Sequence, residues 1–197
     1  MALGKQAKII GDKQVRAVLA ELDTRRYPFR DRVMFLLSIK AGMRAVEIAS
    51  ITWAMVTDAA GEIGDVVALQ NSASKGKGGG RIIPMDADLK AALVALHKER
   101  GVEARPDWPV IHSERNHGLS VGGVAVWFHR LYTVLGMVGC SSHSGRRTFI
   151  TRAARKIGEA GGSLRDVQML AGHANLGTTS RYIEHDAEAQ KKVVSLI

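Results

Sequence analysis

The sequence predicts a mainly α-helical domain with a small antiparallel β-ribbon, and three observations lead to this fold class. Apolar residues recur at helical spacing in several segments, for example at Val15, Val18 and Leu22. Two short β-branched runs, DVVALQ and RIIPM, flank the stretch NSASKGKGGG, whose composition is typical of a hairpin turn. The 197 residues suffice for one sizeable core and contain no repeat or linker that would divide them. We therefore expect a single domain over 1–197.

The first half of the chain begins with three predicted helices. The first spans 12–22, with Asp12 as a candidate N-cap. A second helix begins after Pro28, whose fixed φ suits a first helical position, and it ends at the breaker Gly42. The segment RAVEIASI resumes a short helix directly afterwards, and the predicted hairpin follows it.

The second half of the chain is predicted to be almost entirely helical. Asp86 caps the helix ADLKAALVALHKER, which stops at Gly101. A loop leads from there to another helical pattern near 120–135. Three more helical segments follow, near 143–157, 163–171 and 187–196.

The charge of the chain indicates its kind of partner. There are 28 Lys and Arg against 19 Asp and Glu, a formal net charge of +9. Such an excess favours a polyanionic partner, with nucleic acid first and an anionic membrane surface second. The basic residues are spread among apolar ones and form neither a lysine tail nor a basic amphipathic helix, so the membrane alternative weakens.

Cysteine content and the N-terminal sequence predict a cytoplasmic protein. Cys140 is the single cysteine, so no internal disulfide can form. The start MALGKQAKIIG lacks the apolar region and cleavage pattern of a signal peptide. No apolar run approaches the roughly 18 residues that a membrane helix needs.

The sequence does not support two common kinds of ligand site. The stretch SKGKGGG contains Lys75 and Lys77, but a phosphate-binding P-loop needs Gly-Lys-Ser/Thr leading into a helix, and here glycines and a strand follow. The seven histidines show no His-Glu-x-x-His and no Cys/His ligand spacing. We therefore expect neither a cofactor nor a bound metal ion.

Five polar residues near predicted helix ends form a candidate site. His143 and Arg146 are three apart at the start of a helix, which puts both on one face beside the positive end of the helix dipole. Arg44 also lies at a helix start, where a cation opposes the dipole unless an anion is bound beside it. His173 follows a glycine at a helix end, and Tyr182 comes nine residues later.

These residue types together fit phosphodiester chemistry. Two guanidiniums can hold the non-bridging oxygens, two imidazoles can add hydrogen bonds or move protons, and a lysine on the hairpin can protonate a leaving alkoxide. A tyrosine has a free pKa of about 10, so it needs cations and a base around it before it attacks at neutral pH. A covalent phosphotyrosine keeps the energy of the diester, so a strand can be rejoined without ATP or metal.

The same stretches resemble the catalytic domain of the tyrosine recombinases, the phage-integrase family. AGMRAVEIASITW resembles the family's first arginine box, which implies that Arg44 binds phosphate and that Glu47 supports it. HSGRRTF resembles the His-x-x-Arg box, which implies the second pair, His143 and Arg146. The resemblance covers nearly the whole chain, and the ordered set of boxes is specific although each box alone is weak.

The final box and the hairpin complete the resemblance. LAGHANLGTTSRY resembles the family's last box, which implies His173 as a site residue and Tyr182 as the nucleophile. The family's hairpin lysine falls at Lys75 or Lys77, since Lys75 is one residue too far from RIIP and Lys77 one too near. The SK-G before the glycines favours Lys75, with Lys77 as the alternative.

The chain also departs from the family pattern. Gly145 and Ala171 stand where the family usually has leucine, which predicts looser local packing without loss of a polar site residue. The first arginine box begins by residue 41, so we expect no N-terminal core-binding domain, as in the similar, short fimbrial-switch invertases. In the family, the tail that corresponds to about 186–197 docks on a neighbouring protomer; the alternative is a helix folded back on its own core.

The resemblance implies a site-specific DNA recombinase that cuts and rejoins double-stranded DNA through a 3′-phosphotyrosine intermediate. It also implies a homo-oligomer on DNA, with a tetrameric synapse formed by chains that are monomers or weak dimers when free, and accessory DNA-bending proteins as further partners. The protein would then be bacterial or phage-encoded and associated with the nucleoid. Two alternatives stay open: a type IB topoisomerase, which shares this chemistry, and a DNA-binding regulator that retains the fold without turnover.

Overall fold

Helices make up most of the chain in the computed structural model, which describes residues 6–73, 80–114 and 117–182. The described residues contain eight α-helices and two strands. In chain order these are α1 (Asp12–Asp23), α2 (Pro28–Lys40), α3 (Ala45–Ser50), β1 (Val66–Leu69), β2 (Arg81–Pro84), α4 (Ala87–Arg100), α5 (Val121–Val134), α6 (Ser144–Lys156), α7 (Leu164–Ala171) and α8 (Leu176–Ser180). The mainly α fold with one antiparallel ribbon is therefore confirmed.

Most helix boundaries follow the sequence signals. Pro28 is the first residue of α2, and Asp86 caps α4 by accepting a hydrogen bond from the Asp88 amide. The prediction of Asp12 as an N-cap is wrong, because Gly11 is the cap and Asp12 is already the first helical residue. The helix α8 was not predicted, and the predicted helix near 187–196 lies outside the described residues.

The two strands form a short hairpin whose faces alternate. Val67 pairs with Ile83, and both side chains point into the core, as does Leu69. Arg81 pairs with Leu69 at the end of the ribbon nearest the glycine-rich turn. Buried and exposed residues alternate along each strand, and this alternation fixes the register, because a slip of one residue would turn the apolar side chains outward.

A large apolar core surrounds α2. Nine of the thirteen residues of this helix are buried, because α1, α3, α4 and α6 all pack against it. Residues such as Phe35, Leu36 and Leu37 are almost completely buried, and each such side chain contributes about 1.5–3 kcal/mol relative to an exposed one. We call this cluster the main core; it extends through the hairpin to α5.

A second, smaller apolar cluster lies among the last helices. Its fully packed members are Ile150 of α6 with Val167 and Ala171 of α7. Partly buried side chains surround them, among them Phe149 and Tyr182. We call this the C-terminal cluster; it packs α7 against α6, and Tyr182, which follows α8, joins it.

Gly145 allows α6 to lie close to α2. A Cβ atom placed on Gly145 would overlap the Oγ of Ser38 and would come 2.9 Å from the Ser38 Cβ. Both residues are buried. The prediction of looser packing at Gly145 is therefore wrong, because the missing side chain is replaced by the closer approach of α2.

The N-terminal segment 7–10 runs along α6. The Lys8 amide donates to the Gly139 carbonyl at 3.1 Å, and the Ile10 amide donates to Thr148 Oγ1 at 2.8 Å. In the other direction, Arg147 of α6 donates to the Ala7 carbonyl at 3.1 Å. We call this segment the N-terminal strap.

Among the described helices, none has both the length and the apolar character needed to cross a membrane.

Candidate active site

The start of α3 brings a cation and its partner together. Gly42 has a φ of +62°, a conformation that suits glycine, and this turn leads the chain from α2 into α3. Arg44 is the N-cap residue of α3, and its amide donates to the Glu47 carboxylate at 2.8 Å. The Arg44 guanidinium also donates to Glu47 at 2.8 Å. The anion that was expected beside this cation is thus supplied partly by its own helix.

Glu47 is completely buried and pairs with a second arginine. Arg81 donates to both carboxylate oxygens, at 2.9 and 3.0 Å, and its Nε donates to the Leu170 carbonyl at 2.9 Å. Burial alone would raise the pKa of Glu47, but the hydrogen bonds and charges of Arg81 and Arg44 lower it to about 2. Glu47 is therefore ionised at neutral pH and fixes the orientation of both guanidiniums.

The start of α6 supplies the next pair of side chains. His143 is the exposed N-cap residue, whereas Arg146 is 97% buried. Arg146 donates to the Gly42 carbonyl and to the Ala171 carbonyl, both at 2.6 Å. Burial and the neighbouring Arg44 lower the pKa of Arg146 to about 10, so it keeps its charge at neutral pH.

The end of α7 positions the second histidine. Gly172 closes the helix in the left-handed conformation, with a φ of +60°. His173 follows with a buried ring whose Nδ1 lies 2.9 Å from Thr179 Oγ1. Burial and the charges of Arg146 and Arg44 lower the pKa of His173 to about 4, so this imidazole is neutral at pH 7.

Tyr182 lies directly after α8, beside this histidine. The two rings stack with their centroids 5.5 Å apart and an interplanar angle of 24°. The Tyr182 amide donates to the Thr179 carbonyl at 3.0 Å, and the Tyr182 carbonyl accepts from Thr151 Oγ1 at 3.2 Å. Tyr182 is thus fixed through its backbone as well as through its ring.

All five residues of the predicted constellation line one cavity of about 470 Å³: Arg44, His143, Arg146, His173 and Tyr182. Glu47 supports Arg44 from beneath, and the positions of Lys75 and Lys77 lie outside the described residues. The lining contains four arginines and, in the part of the chain that the structure describes, no carboxylate. An anion is the ligand that this surface fits.

Several residues of the site were not predicted from the sequence. Arg81 was taken only as the first residue of a strand, and its contact with Glu47 joins residues 34 apart in sequence. Arg147 and Arg181 add two more cations to the cavity wall, and Thr179 contacts His173. The surplus of arginines beside the recognised boxes was a possible signal for Arg147 and Arg181, but no sequence signal pointed to Thr179.

The geometry places a tyrosine hydroxyl on a surface that suits an anion. Arg44 and Arg146 present donors that suit the non-bridging oxygens of a phosphodiester. Tyr182 lines the same cavity, beside these arginines. The described residues include no group of three His, Cys, Asp or Glu side chains that could hold a metal ion.

Comparison with known proteins identifies the class to which this fold and site belong. The sequence profile of the phage integrase family matches residues 8–189, so the chain belongs to the phage integrase family. It is similar to the tyrosine recombinase XerC of Xanthomonas campestris pv. campestris (strain B100), with 30% identity over 184 residues, 92% of this chain and 52% of that protein. It is also similar to the tyrosine recombinase XerA of Thermococcus onnurineus (strain NA1), with 25% identity over 190 residues, 94% of this chain and 62% of that protein. The chain thus spans about half to three fifths of the length of these curated relatives.

Solved structures share the fold. The Tn1549 transposon integrase in complex with circular intermediate DNA superposes with a TM-score of 0.74 at 20% identity, covering 98% of this chain and 67% of that one. The XerH site-specific recombinase bound to its difH substrate gives a TM-score of 0.74 at 18% identity, covering 99% of this chain and 56% of that one. The tyrosine recombinase catalytic-domain fold is therefore confirmed.

Proposed function

We propose that residues 1–197 act as the catalytic domain of a site-specific DNA recombinase that cuts and rejoins double-stranded DNA. The observation that supports this most strongly is the convergence of Arg44, Arg146 and Tyr182 on one cavity lined by arginines. Membership of the phage integrase family and the likeness to tyrosine recombinases point to the same activity.

The proposed reaction is a transesterification. Arg44 and Arg146 bind the non-bridging oxygens of the scissile phosphate, and Glu47 holds Arg44 in place. The Tyr182 oxygen attacks phosphorus and loses its proton to an imidazole of the site. This attack forms a 3′-phosphotyrosine. The bond to the 5′ oxygen breaks, and the leaving alkoxide takes a proton from a hairpin lysine. Reversal with a different 5′ hydroxyl rejoins the strands, so the energy of the diester is conserved.

We assign the general acid to Lys75, with Lys77 as the alternative. A substrate whose leaving 5′ oxygen is replaced by sulfur separates the two, because a thiolate departs without a proton. Lys75→Ala should cleave the normal substrate slowly and the sulfur substrate at the wild-type rate. Recovery of Lys77→Ala alone would transfer the role to Lys77.

The partners we propose follow from the DNA reaction. The Tn1549 integrase and XerH were solved with DNA, and a λ integrase dimer was solved on a core site. For this chain we propose double-stranded DNA as substrate, a homotetrameric synapse formed from monomers or weak dimers, and accessory DNA-bending proteins. It would act in the cytoplasm on nucleoid DNA. We also propose that the tail 186–197 docks on a neighbouring protomer, so its deletion should impair synapsis more than binding to one site.

A covalent adduct assay tests the proposed activity. Wild-type protein mixed with a nicked suicide duplex should form a protein–DNA adduct in the presence of EDTA, because the cations of the site are side chains. Tyr182→Phe should form none, while its affinity for the duplex should stay close to that of the wild type.

Three other results would change the proposal. Wild-type binding without any adduct would indicate a regulator, and relaxation of supercoiled plasmids regardless of sequence would indicate a topoisomerase. An adduct formed by Tyr182→Phe would remove this residue from the mechanism.

A further inference from the structure

Thr179 connects the histidine and the tyrosine of the site. Its side chain is completely buried, and its Oγ1 lies 2.9 Å from His173 Nδ1. Its backbone carbonyl accepts the hydrogen bond from the Tyr182 amide. The short helix that carries Thr179 is fixed by Asn175, whose side chain accepts from the Thr178 amide at 2.9 Å. Thr179 is therefore held at a defined distance from both rings.

The hydrogen-bonding options of this pair decide which nitrogen of His173 carries the proton. A neutral imidazole has one N–H and one acceptor nitrogen. If Nδ1 carried the proton, Thr179 would accept it, and the buried hydroxyl proton would need another acceptor. Within the described residues, Thr179 Oγ1 has His173 Nδ1 as its one hydrogen-bond partner. A hydroxyl that donates to Nδ1 satisfies both groups, whereas the reverse arrangement leaves a buried donor unpaired.

The opposite nitrogen is the one left for a ligand. His173 lines the arginine-rich cavity, and Nε2 makes no hydrogen bond with any residue that the structure describes. The arginines of the cavity are donors only, so the ligand that they attract is an acceptor. A protonated Nε2 would add one more donor to that ligand.

We propose that Thr179 is a positioning residue that holds His173 in the tautomer with the proton on Nε2. This inference rests on the proposed function: with the proton on Nε2, His173 offers a donor to the same acceptor ligand that the arginines attract.

The tautomer can be measured directly on the free protein. In ¹⁵N-labelled wild type at pH 7, the Nε2 resonance of His173 should have the chemical shift of a protonated ring nitrogen and Nδ1 that of an unprotonated one. The His173→Gln spectrum assigns these resonances. A wild-type ring protonated on Nδ1 would overturn the proposal. This measurement needs no DNA cleavage, so it stays informative even if the chain proves to be inactive.

Substitution at Thr179 tests the cause. Thr179→Val keeps the shape and removes the hydroxyl, so His173 should populate both tautomers and the rate of adduct formation should fall about tenfold. Thr179→Ser should restore the Nε2–H tautomer and most of the rate. The control is Ser180→Ala, which removes an exposed hydroxyl of the same helix and should change neither.

Two results would contradict the assignment. An unchanged His173 tautomer in folded Thr179→Val would show that the hydroxyl does not set it. An equal loss of rate in Thr179→Ser and Thr179→Val, with the tautomer intact in both, would show that Thr179 acts through packing alone. If Thr179→Val fails to fold, Thr179→Ala removes the same hydroxyl and takes its place in the comparison with Thr179→Ser.

Discussion

The two walls of the cavity are supported very differently. Arg44 stands on α3, which packs into the main core, and the buried Glu47 fixes its orientation. Tyr182 belongs to the C-terminal cluster, in which three side chains are buried and several others, Tyr182 among them, are partly buried. The wall that contains Arg44, which we call the arginine wall, is therefore a rigid part of the structure. The wall that contains Tyr182, which we call the tyrosine wall, has little apolar burial of its own.

This difference indicates how the site divides its tasks. An anion-binding surface gains most when its donors are fixed before the ligand arrives, since no reorganisation is then needed. A region with few buried apolar contacts opens locally at a lower free energy than the global unfolding. Arg146 joins the two walls, because it donates to Gly42 on one side and to Ala171 on the other. We infer that α7 and α8 can move as a unit while the arginine wall stays in place.

The largest expected effect concerns the rigid wall. Glu47→Gln removes a fully buried charge that pairs with Arg44 and Arg81, and both guanidiniums then face a neutral amide. We expect a loss of about 3–5 kcal/mol in the free energy of unfolding, measured by urea denaturation. Glu114→Gln is the control, because its exposed ion pair with Arg26 contributes little. A Glu47 variant as stable as this control would show that the wall does not depend on its carboxylate.

Hydrogen exchange tests whether the two walls differ in local stability. The amides of α7 should exchange at least about 100-fold faster than those of α2 in the native state, a difference of about 2.7 kcal/mol in opening free energy. Val167→Ala should speed exchange in α7 and α8 while leaving α2 close to wild type. Equal protection of the two helices would mean that the domain opens as one unit.

The junction between the two regions gives a smaller effect. Gly145→Ala forces a methyl group against Ser38 and should destabilise the protein by about 1–3 kcal/mol. Gly122→Ala is the matched control: nothing lies within 4 Å of its added Cβ, so it should stabilise α5 by about 0.5–1 kcal/mol. Adding Ser38→Gly should recover part of the loss at Gly145. If it recovers none, the close contact is not the cause.

Acid should weaken the tyrosine wall first. The pKa of His173 is about 4 in the folded protein and 6.5 for a free histidine, so the unfolded chain binds the extra proton between these values. Stability is therefore complete above pH 6.5 and falls as the pH drops toward 4, by about 1 kcal/mol at pH 5.5. The lowered pKa of Glu47 removes further stability only below about 4.5. His112, whose pKa burial also lowers, adds a slope of the same sign, so wild type is compared with His173→Gln. Parallel pH profiles for these two proteins would contradict this assignment.

Local signals explain why most of the fold was predictable. Pro28, Gly42, Asp86 and Gly101 punctuate the chain, and each acts through its own backbone or a neighbour in sequence. The helix α8 was missed because LGTTS is five residues long, contains a glycine and two threonines, and is too short to show a period. It forms because Asn175 caps it and Thr179 is buried against the site.

Within the site, only the residues that belong to the sequence motifs were predictable. Arg44, His143, Arg146, His173 and Tyr182 were all named from sequence and all line the cavity. The support beneath them was not predictable, because it consists of tertiary contacts: Arg81 reaches Glu47 from the hairpin and also donates to the carbonyl of Leu170. Neither the residue type nor the spacing of Arg81 predicts that its side chain is 6% exposed and contacts both Glu47 and the Leu170 carbonyl.

The N-terminal strap can dock only after α6 has been synthesised. The Ile10 amide donates to Thr148, which follows it by 138 residues. The Ala7 carbonyl accepts from Arg147, which follows it by 140 residues. On the ribosome the strap emerges long before its partners, because they follow it by 138 and 140 residues. Such long-range pairing forms slowly, because a long loop must close before the contact stabilises anything. The nascent chain therefore carries the strap without these partners until α6 emerges, and docking of the strap is a late event in the co-translational folding of the described residues.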